Sequence, residues 1–186
     1  MFCSARFLTV GPGLKSGIKL RLDNPAQLGA ELLCGAVAAL EEGPGPLAVI
    51  SADTAISIMA VNGKQDLVGG VILPGPQLSL SALVQKTAQL PQIDLSAPAS
   101  SSILGKNTSA CLQNGFVLGT AGLLDGLAER FQAELGPDIR FYATGNLPRT
   151  IREACRTPIE YREYLITDGL YLSLIHISEP TRRVVI

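Results

Sequence analysis

The carboxylate of Glu31 is the first group in the chain that could do chemistry. It stands in the stretch LGAELLCGAVAAL, where almost every neighbour is apolar. Burial favours the protonated form of a carboxyl group and suits it to exchange protons near neutral pH. Because Glu31 also falls in the first turn of the expected helix, it could instead only stabilise the helix dipole. Both interpretations remain open.

A second candidate is the stretch GKNT, Gly105 to Thr108, which opens a long helical segment. The N-terminus of a helix offers free amides to an anion, and Lys106 adds positive charge. It is not a P-loop, because Ser100 stands where the first glycine belongs and Asn107 directly follows the lysine. The alternative is an exposed helix start capped by Asn107 or Thr108.

The third candidate is the hinge Ser51-Ala52-Asp53-Thr54, which lies between two apolar, β-branched runs. The Thr54 hydroxyl could donate a hydrogen bond to a phosphate oxygen. The carboxylate of Asp53 would repel that same phosphate. The alternative is a simple corner between two strands of a hairpin.

The elements that position these residues mix strands and helices, which predicts an α/β fold with a partly antiparallel sheet. Asn24-Pro25 predicts a helix start, and Leu28 to Leu40 should form a helix that is buried on nearly every side. Asn62-Gly63 is typical of a hairpin. Strands are predicted at 18–22, 46–51, 55–61, 66–75 and 138–146, and further helices at 79–90 and 109–135.

Glycines at 115, 119, 122 and 126 form one smooth stripe along the last of these helices, typical of a surface that another element approaches closely. A polar loop rich in proline and serine, residues 91–104, precedes this helix.

Composition excludes several classes of protein. The chain has 186 residues, of which 47% are apolar and 17% charged, and its net charge is −1. Without a basic run, neither nucleic acid nor an anionic membrane is expected as a partner. Apolar runs are shorter than the roughly 18 residues of a membrane span, and the first ten residues do not resemble a signal peptide. We therefore expect a cytoplasmic protein.

Metal-binding and disulfide chemistry are not indicated by the cysteines. Cys3, Cys34, Cys111 and Cys155 are scattered without C-x-x-C spacing, which predicts buried free thiols, and His176 is the single histidine. His176 lies in Leu172–Arg182, which resembles the translation of a transposase library adapter. Residues 172–186 are therefore predicted to be a non-native tail.

A resemblance to one family runs through most of the chain. VGPGLKSGIKLRLDNPAQLGAE, LVGGVILPGPQLSLSAL, LPQIDLSAP, GKNT, GTAGLLDGL and ITDGLYL occur in that order between about residues 7 and 172. Together they resemble the type III pantothenate kinases, or Bvg accessory factor-like proteins, of the actin/hexokinase/Hsp70 superfamily. The resemblance implies an actin-like ATPase (ribonuclease H-like) fold.

The resemblance also implies an activity, cofactors and partners. Members transfer the γ-phosphoryl group of ATP to the primary hydroxyl of pantothenate, the first step of coenzyme A synthesis. They use Mg²⁺ with the nucleotide and a monovalent cation (K⁺ or NH₄⁺), and work as cytoplasmic homodimers. The alternative is a non-catalytic paralogue that binds a ligand or regulates a partner, or a gene fragment.

On the substrate side, the resemblance assigns roles by position. Gly29, Ala30, Glu31 and Leu32 replace the family's G-A-D-R, so Glu31 takes the place of the catalytic base and Leu32 that of a substrate-holding arginine. Two further positions correspond to substrate contacts: Leu22, where a tyrosine is common, and Thr108, which matches the family's threonine.

On the nucleotide side, the hinge replaces the family's second phosphate loop, D-x-G-T-A-T. Thr54 and Ala55 match, whereas Ser51 replaces an aspartate that holds the monovalent cation and Asp53 replaces a glycine. Gly145 matches the first glycine of the nucleotide-side turn ATGG, and Asn146 replaces the second. These changes predict weakened ATP binding.

The family's first phosphate loop, D-x-G-N-T, has no match in the chain. We therefore expect residues 1–45 to be the remnant of a first lobe, comprising its last strand and a buried helix. Residues 46–171 are expected to form the second lobe with a C-terminal helix.

Overall fold

Six strands form one mixed sheet in the computed structural model, which describes residues 17–99 and 102–178. The strands lie in the spatial order β1-β4-β3-β2-β5-β6. The β3 strand is antiparallel to β2 and β4, and the other three pairs are parallel. In chain order they are β1 (Lys19–Leu20), β2 (Leu47–Ala52), β3 (Ala55–Val61), β4 (Asp66–Pro74), β5 (Arg140–Gly145) and β6 (Ile159–Tyr161). The predicted α/β class is confirmed.

Helices cover both faces of the sheet. One face carries the first and last helices, and the opposite face carries the third and fourth. The helices are α1 (Ala30–Glu41), α2 (Pro76–Gln85), α3 (Thr108–Leu135), α4 (Arg149–Ala154) and α5 (Leu165–Ser178). This layering explains the near-continuous apolar sequence of β2, because a strand covered on both faces needs apolar residues at every position. Val49 packs with the α1 side, and Ala48 and Ile50 pack with the α3 side.

The start of the first helix differs from the prediction. The side-chain oxygen of Asn24 accepts from the amide of Ala26, as a capping residue does, but the turn it caps is a short 3-10 turn over Pro25–Gln27. The α-helix begins only at Ala30, after Gly29 as its N-cap. Burial of the helix is confirmed, since every residue from Leu33 to Ala39 is buried.

The glycine stripe of α3 has no packing partner among the described residues. A Cβ atom built on Gly115, Gly119, Gly122 or Gly126 would meet no atom within 4 Å outside its own helix turn. The prediction that another element packs closely against the stripe is therefore wrong for the part of this chain that the structure describes. Buried Val117, Leu124 and other residues contact the sheet instead.

The predicted hairpin at Asn62-Gly63 is confirmed. The side-chain oxygen of Asn62 accepts from the amides of Lys64 and Asp66, and Gln65 takes a φ of 62° to complete the turn. At the C-terminus, α5 continues across the predicted tail boundary at Leu172 as far as Ser178. The remainder of the predicted tail, 179–186, and Cys3 lie outside the described residues. Of the other predicted buried thiols, Cys34 is buried and Cys155 partly buried, but Cys111 is exposed because it lies in the first turn of α3, so the prediction is wrong there.

None of the helices in the described ranges is long and apolar enough to cross a membrane.

Candidate functional site

All three candidate segments lie at the same end of the sheet. A short connection reverses the chain between α1 and β2, and another between α3 and β5, so each helix runs opposite to its strand. Because β2 and β5 are parallel, the N-termini of α1 and α3 face the end where these strands finish. At about 1.5 Å per residue, the 28-residue helix α3 is roughly 40 Å long, about twice the length of a six-residue strand. Its N-terminal part therefore projects beyond the sheet at this end.

The hinge is the corner of the β2–β3 hairpin. The amide of Asp53 donates to the carbonyl of Ala55 at 2.9 Å, and the amide of Gly75 donates to the carbonyl of Thr54 at 2.9 Å. A side chain at Gly75 would collide with the carbonyl oxygens of Asp53 and Thr54, so only glycine lets the end of β4 approach this corner. The hinge is thus a rigid backbone corner with Asp53 and Thr54 both exposed.

The end of β5 lies directly beside this corner. Gly145 has a φ of +81°, and a Cβ atom there would collide with the carbonyl oxygen of Ala52. The hydroxyl of Tyr161 donates to the carbonyl of Gly145 at 2.8 Å, and the guanidinium of Arg152 stacks on the Tyr161 ring at 3.9 Å from its centroid. These contacts fix the turn that presents Asn146.

A cavity of about 420 Å³ opens between the hinge and this turn. Asp53 and Thr54 line one side, Asn146 and Pro148 another, and α2 with its neighbours closes the remainder. Its lining residues are Asp53, Thr54, Pro76, Gln77, Leu78, Ser81, Leu95, Asn146 and Pro148. Among these residues Asp53 carries the only formal charge. The wall of the cavity is mostly apolar, with a few polar side chains at one end, and among the described residues it offers a phosphate group no lysine or arginine.

Glu31 is exposed at the first turn of α1. The burial on which the proton-exchange interpretation depends is therefore absent, and the carboxylate is placed where it interacts favourably with the helix dipole. Glu31 is not among the residues that line the cavity beside Thr54.

The cap interpretation of GKNT is confirmed. Asn107 is the N-cap of α3, and its side-chain oxygen accepts from the amide of Ala110 at 2.9 Å. Thr108 is the first helical residue and is exposed, as is Lys106. An exposed hydroxyl at a helix N-terminus is accessible to a ligand, although Thr108 also lies outside the cavity lining.

The remaining substrate-side positions surround the start of α1. Gly29 is its N-cap and Ala30 its first residue. Leu22 and Leu32 are partly buried against the apolar cluster beneath α1, so both contribute packing rather than polar contacts.

No group of three or more histidine, cysteine, aspartate or glutamate side chains is placed to hold a metal ion within the described ranges. Ser51 lies in β2 and is half-buried, and it offers a single neutral oxygen. A neutral hydroxyl oxygen coordinates K⁺, but it lacks the negative charge of the aspartate that the resemblance places here, so Ser51 would hold a monovalent cation more weakly.

Comparison with known proteins identifies the family. The sequence profile described as type III pantothenate kinase matches residues 1–130. The chain belongs to the type III pantothenate kinase family. The predicted actin-like ATPase (ribonuclease H-like) fold is confirmed by this membership together with the mixed six-stranded sheet.

Relatives of the type III pantothenate kinase family match along most of this chain. The protein named type III pantothenate kinase from Koribacter versatilis is 37% identical over 176 residues, which cover 95% of this chain and 64% of the relative. Type III pantothenate kinase 2 from Symbiobacterium thermophilum is 39% identical over 163 residues, covering 86% and 61%. The relative from Anaeromyxobacter is 39% identical over 165 residues, covering 89% and 64%. The chain thus spans less than two thirds of these relatives.

A solved structure described as a Baf family transcriptional activator, from Campylobacter jejuni, also matches this pantothenate kinase family chain. It is 21% identical, with a TM-score of 0.48, and the match covers 83% of this chain and 68% of the other.

Two contacts that shape the site were not predictable from sequence patterns. The side chain of Asn146 donates to Asp53 at 2.9 Å across 93 residues, and Tyr161 holds Gly145 from β6. The residues of each pair lie far apart in the sequence, so no short-range spacing pattern predicts either contact. The signal that came nearest was Asn146 itself, which was singled out as a departure from the family's second glycine.

Proposed function

We propose that this chain derives from an enzyme that transfers the γ-phosphoryl group of ATP to pantothenate, giving 4′-phosphopantothenate. Family membership supports this proposal, and the cavity between the hinge and the β5 turn is the single structural observation that carries it. Phosphoryl transfer depends mostly on positioning and on stabilising negative charge, so a short set of residues suffices.

The nucleotide side of the proposed site is the cavity. Thr54 would donate its hydroxyl to a phosphate oxygen, with Ala55 and Gly145 completing the two turns that approach the nucleotide. The exposed position of Thr54 on a rigid corner supports this role, because a donor fixed by backbone contacts needs no rearrangement on binding.

The substrate side is assigned to the N-termini of α1 and α3, which lie on opposite faces of the sheet and point toward the same end of it. Glu31 would accept the proton of the attacking hydroxyl, and Thr108 would hydrogen-bond pantothenate, with Gly29, Ala30, Leu22 and Leu32 around them. The shared orientation of both helix N-termini toward the end of β2 supports this assignment.

Metal ions enter the proposal in different ways. Mg²⁺ would travel with ATP and neutralise phosphate charge. A monovalent cation is expected from the family, yet Ser51 does not supply the negative oxygen for it.

The direct test is transfer of label from γ-labelled ATP to pantothenate by this chain, with saturating Mg²⁺ and K⁺. Glu31→Asp should raise the rate by up to about 100-fold, because a carboxylate displaced by roughly 1 Å is a poorly placed base. Glu31→Gln should lower the rate by about 100-fold or more, because amides do not accept the proton.

Glu134→Gln is the matched control, since Glu134 is exposed near the far end of α3 and should leave the rate unchanged. If neither the wild-type chain nor Glu31→Asp transfers label, this chain is not itself a pantothenate kinase; absence of transfer by a full-length version with the first phosphate loop restored would make the enzymatic proposal wrong.

A second candidate function, a ligand-binding or regulatory protein without catalysis, is favoured by the charge of the cavity. Its lining has one carboxylate and no cation, and Leu32 supplies only apolar contact. Calorimetric binding of pantothenate without any label transfer would favour this candidate over the kinase.

A cytoplasmic homodimer is part of the proposal. The glycine stripe of α3 faces open space, and Leu123 beside it is 43% exposed. A groove of about 250 Å³ runs between this face and the start of α2, lined by Phe116, Pro76 and others. A second copy of α3 could approach such a smooth face closely.

A further inference from the structure

The side chains of Asp53 and Asn146 form a bridge across the candidate nucleotide cavity. The amide nitrogen Nδ2 of Asn146 donates to Oδ1 of Asp53 at 2.9 Å, and both residues line the cavity. The bridge joins the β2–β3 corner to the end of β5, so it spans the two turns that would contact a nucleotide.

Backbone hydrogen bonds hold both ends of the bridge in place. The amide of Asn146 donates to the carbonyl of Ala52, and the preceding Gly145 has the positive φ that directs the chain into this turn. On the other side, the Asp53 amide donates to the Ala55 carbonyl at 2.9 Å. The two side chains therefore meet without any reorganisation of the backbone.

The bridge determines what the cavity offers to a ligand. A side-chain amide has two N–H groups, and Asp53 engages one of those on Asn146. The remaining lining residues include no lysine or arginine. An anionic phosphate entering the cavity meets a carboxylate, while a donor that could bind the phosphate is already engaged.

We propose that the Asp53–Asn146 bridge sets the phosphate affinity of this cavity. The closed bridge disfavours a phosphate twice, by the charge of Asp53 and by engaging the Asn146 amide. The inference rests on the proposed nucleotide site and deepens it, because it names a coupled pair that determines ligand specificity there.

The test is a double-mutant cycle read by calorimetric binding of Mg²⁺–ATP and of inorganic triphosphate. Asp53→Ala should tighten binding of both at least tenfold, because it removes the charge and releases the amide. Asn146→Ala should bring no gain, because the carboxylate remains. The double variant should gain less than Asp53→Ala alone, because the released donor is missing.

Asp138→Ala is the matched control, since Asp138 is an exposed aspartate at the opposite end of the sheet, just before β5, and its loss should change affinity less than twofold. Thermal unfolding of each variant establishes that it is folded.

Three results would overturn the proposal. If Asp53→Ala raises the phosphate affinity equally in the wild-type and the Asn146→Ala background, the Asn146 amide plays no part. Weaker Mg²⁺–ATP binding by Asp53→Ala would make Asp53 a metal ligand instead. Absence of binding by all four proteins would show that the cavity is not a phosphate site.

Label transfer to pantothenate by the same proteins separates this inference from the proposed function. If label is transferred but the variants bind Mg²⁺–ATP with unchanged affinity, the proposed function is supported and the role of the Asp53–Asn146 bridge is not. If the affinities shift as expected but no label is transferred, the role of the bridge is supported and the proposed function is not.

Discussion

At the scale of single residues, Asp125 is the polar side chain whose contacts contribute most clearly to stability. It is 3% exposed, and its carboxylate accepts from the amides of Arg156 and Thr157 at 2.9–3.1 Å. Burial raises the pKa of Asp125, but the hydrogen bonds from Thr157 and Arg156 outweigh this and lower the pKa overall. Burial of the nearby Cys155 thiol, together with the charge of Asp125, raises the pKa of Cys155 to about 11, which leaves that thiol unreactive near neutral pH.

Asp125→Asn should therefore destabilise the protein by about 2–3 kcal/mol at pH 7, because an amide N–H would face backbone donors. The lowered pKa means that the wild-type advantage is complete above the unfolded-state pKa of about 3.9 and is lost as the pH falls through the folded-state pKa. Denaturant unfolding at pH 7 and under acid conditions measures the loss of unfolding free energy caused by Asp125→Asn at each pH. Asp138→Asn, at an exposed position, is the control. An equal loss at both pH values would contradict the assignment.

At the scale of elements, local patterns predicted most of the secondary structure but few of its contacts. Helix α3 was expected over 109–135 and runs over Thr108–Leu135, because an N-cap at Asn107 and Gly136 after its end are short-range signals. The start of α1 was misplaced because Asn24-Pro25 begins a 3-10 turn with the same cap chemistry. Whether a carboxylate such as Glu31 is buried depends on how helices pack, which sequence spacing does not determine.

The contact between α1 and α5 depends on Gly169. A Cβ atom there would collide with the backbone carbonyl of Cys34, whereas a Cβ atom on Gly126 in α3 would meet nothing within 4 Å. Gly169→Ala should destabilise the protein by about 1–3 kcal/mol through overpacking. Gly126→Ala should stabilise it by about 0.5–1 kcal/mol through helix propensity. Denaturant unfolding, at a dilution that keeps the chain monomeric, gives the change in the free energy of unfolding for both variants. Changes of the same sign for Gly169→Ala and Gly126→Ala would contradict this packing.

The same helix pair contains an unsatisfied hydroxyl. Ser173 in α5 is 1% exposed, and its Oγ makes no hydrogen bond of good geometry with any described residue. Its one polar neighbour is the Cys34 thiol, a weak partner: burial raises the pKa of Cys34, and a poorly aligned hydrogen bond with Ser173 lowers it to a smaller extent. Ser173→Ala should raise the free energy of unfolding by about 1 kcal/mol, because burying an unpaired hydroxyl is costly. Ser109→Ala, at an exposed position, should change it little, and a destabilised Ser173→Ala would show that the hydroxyl is satisfied.

At the scale of the whole molecule, the two faces of the sheet are covered but the outer face of α3 is not. Sequence spacing located the glycine stripe, but the close packing it predicted does not occur among the described residues, and spacing alone does not say whether a partner would belong to the same chain. The described residues supply no such partner. The proposed homodimer rests on this unpartnered stripe, on the exposed Leu123 and on the groove beside α2.

A homodimer through this face predicts a specific sensitivity to side-chain size. Gly119→Leu would place a bulky group where two helices meet, so sedimentation equilibrium should show a dissociation constant raised at least tenfold, equivalent to about 1.4 kcal/mol. Gly63→Leu is the control, because Gly63 also has open space around it but lies in the β3–β4 turn, away from α3. A wild-type chain that stays monomeric, or a Gly119→Leu variant that dimerises as well as the wild type, would place the partner surface elsewhere.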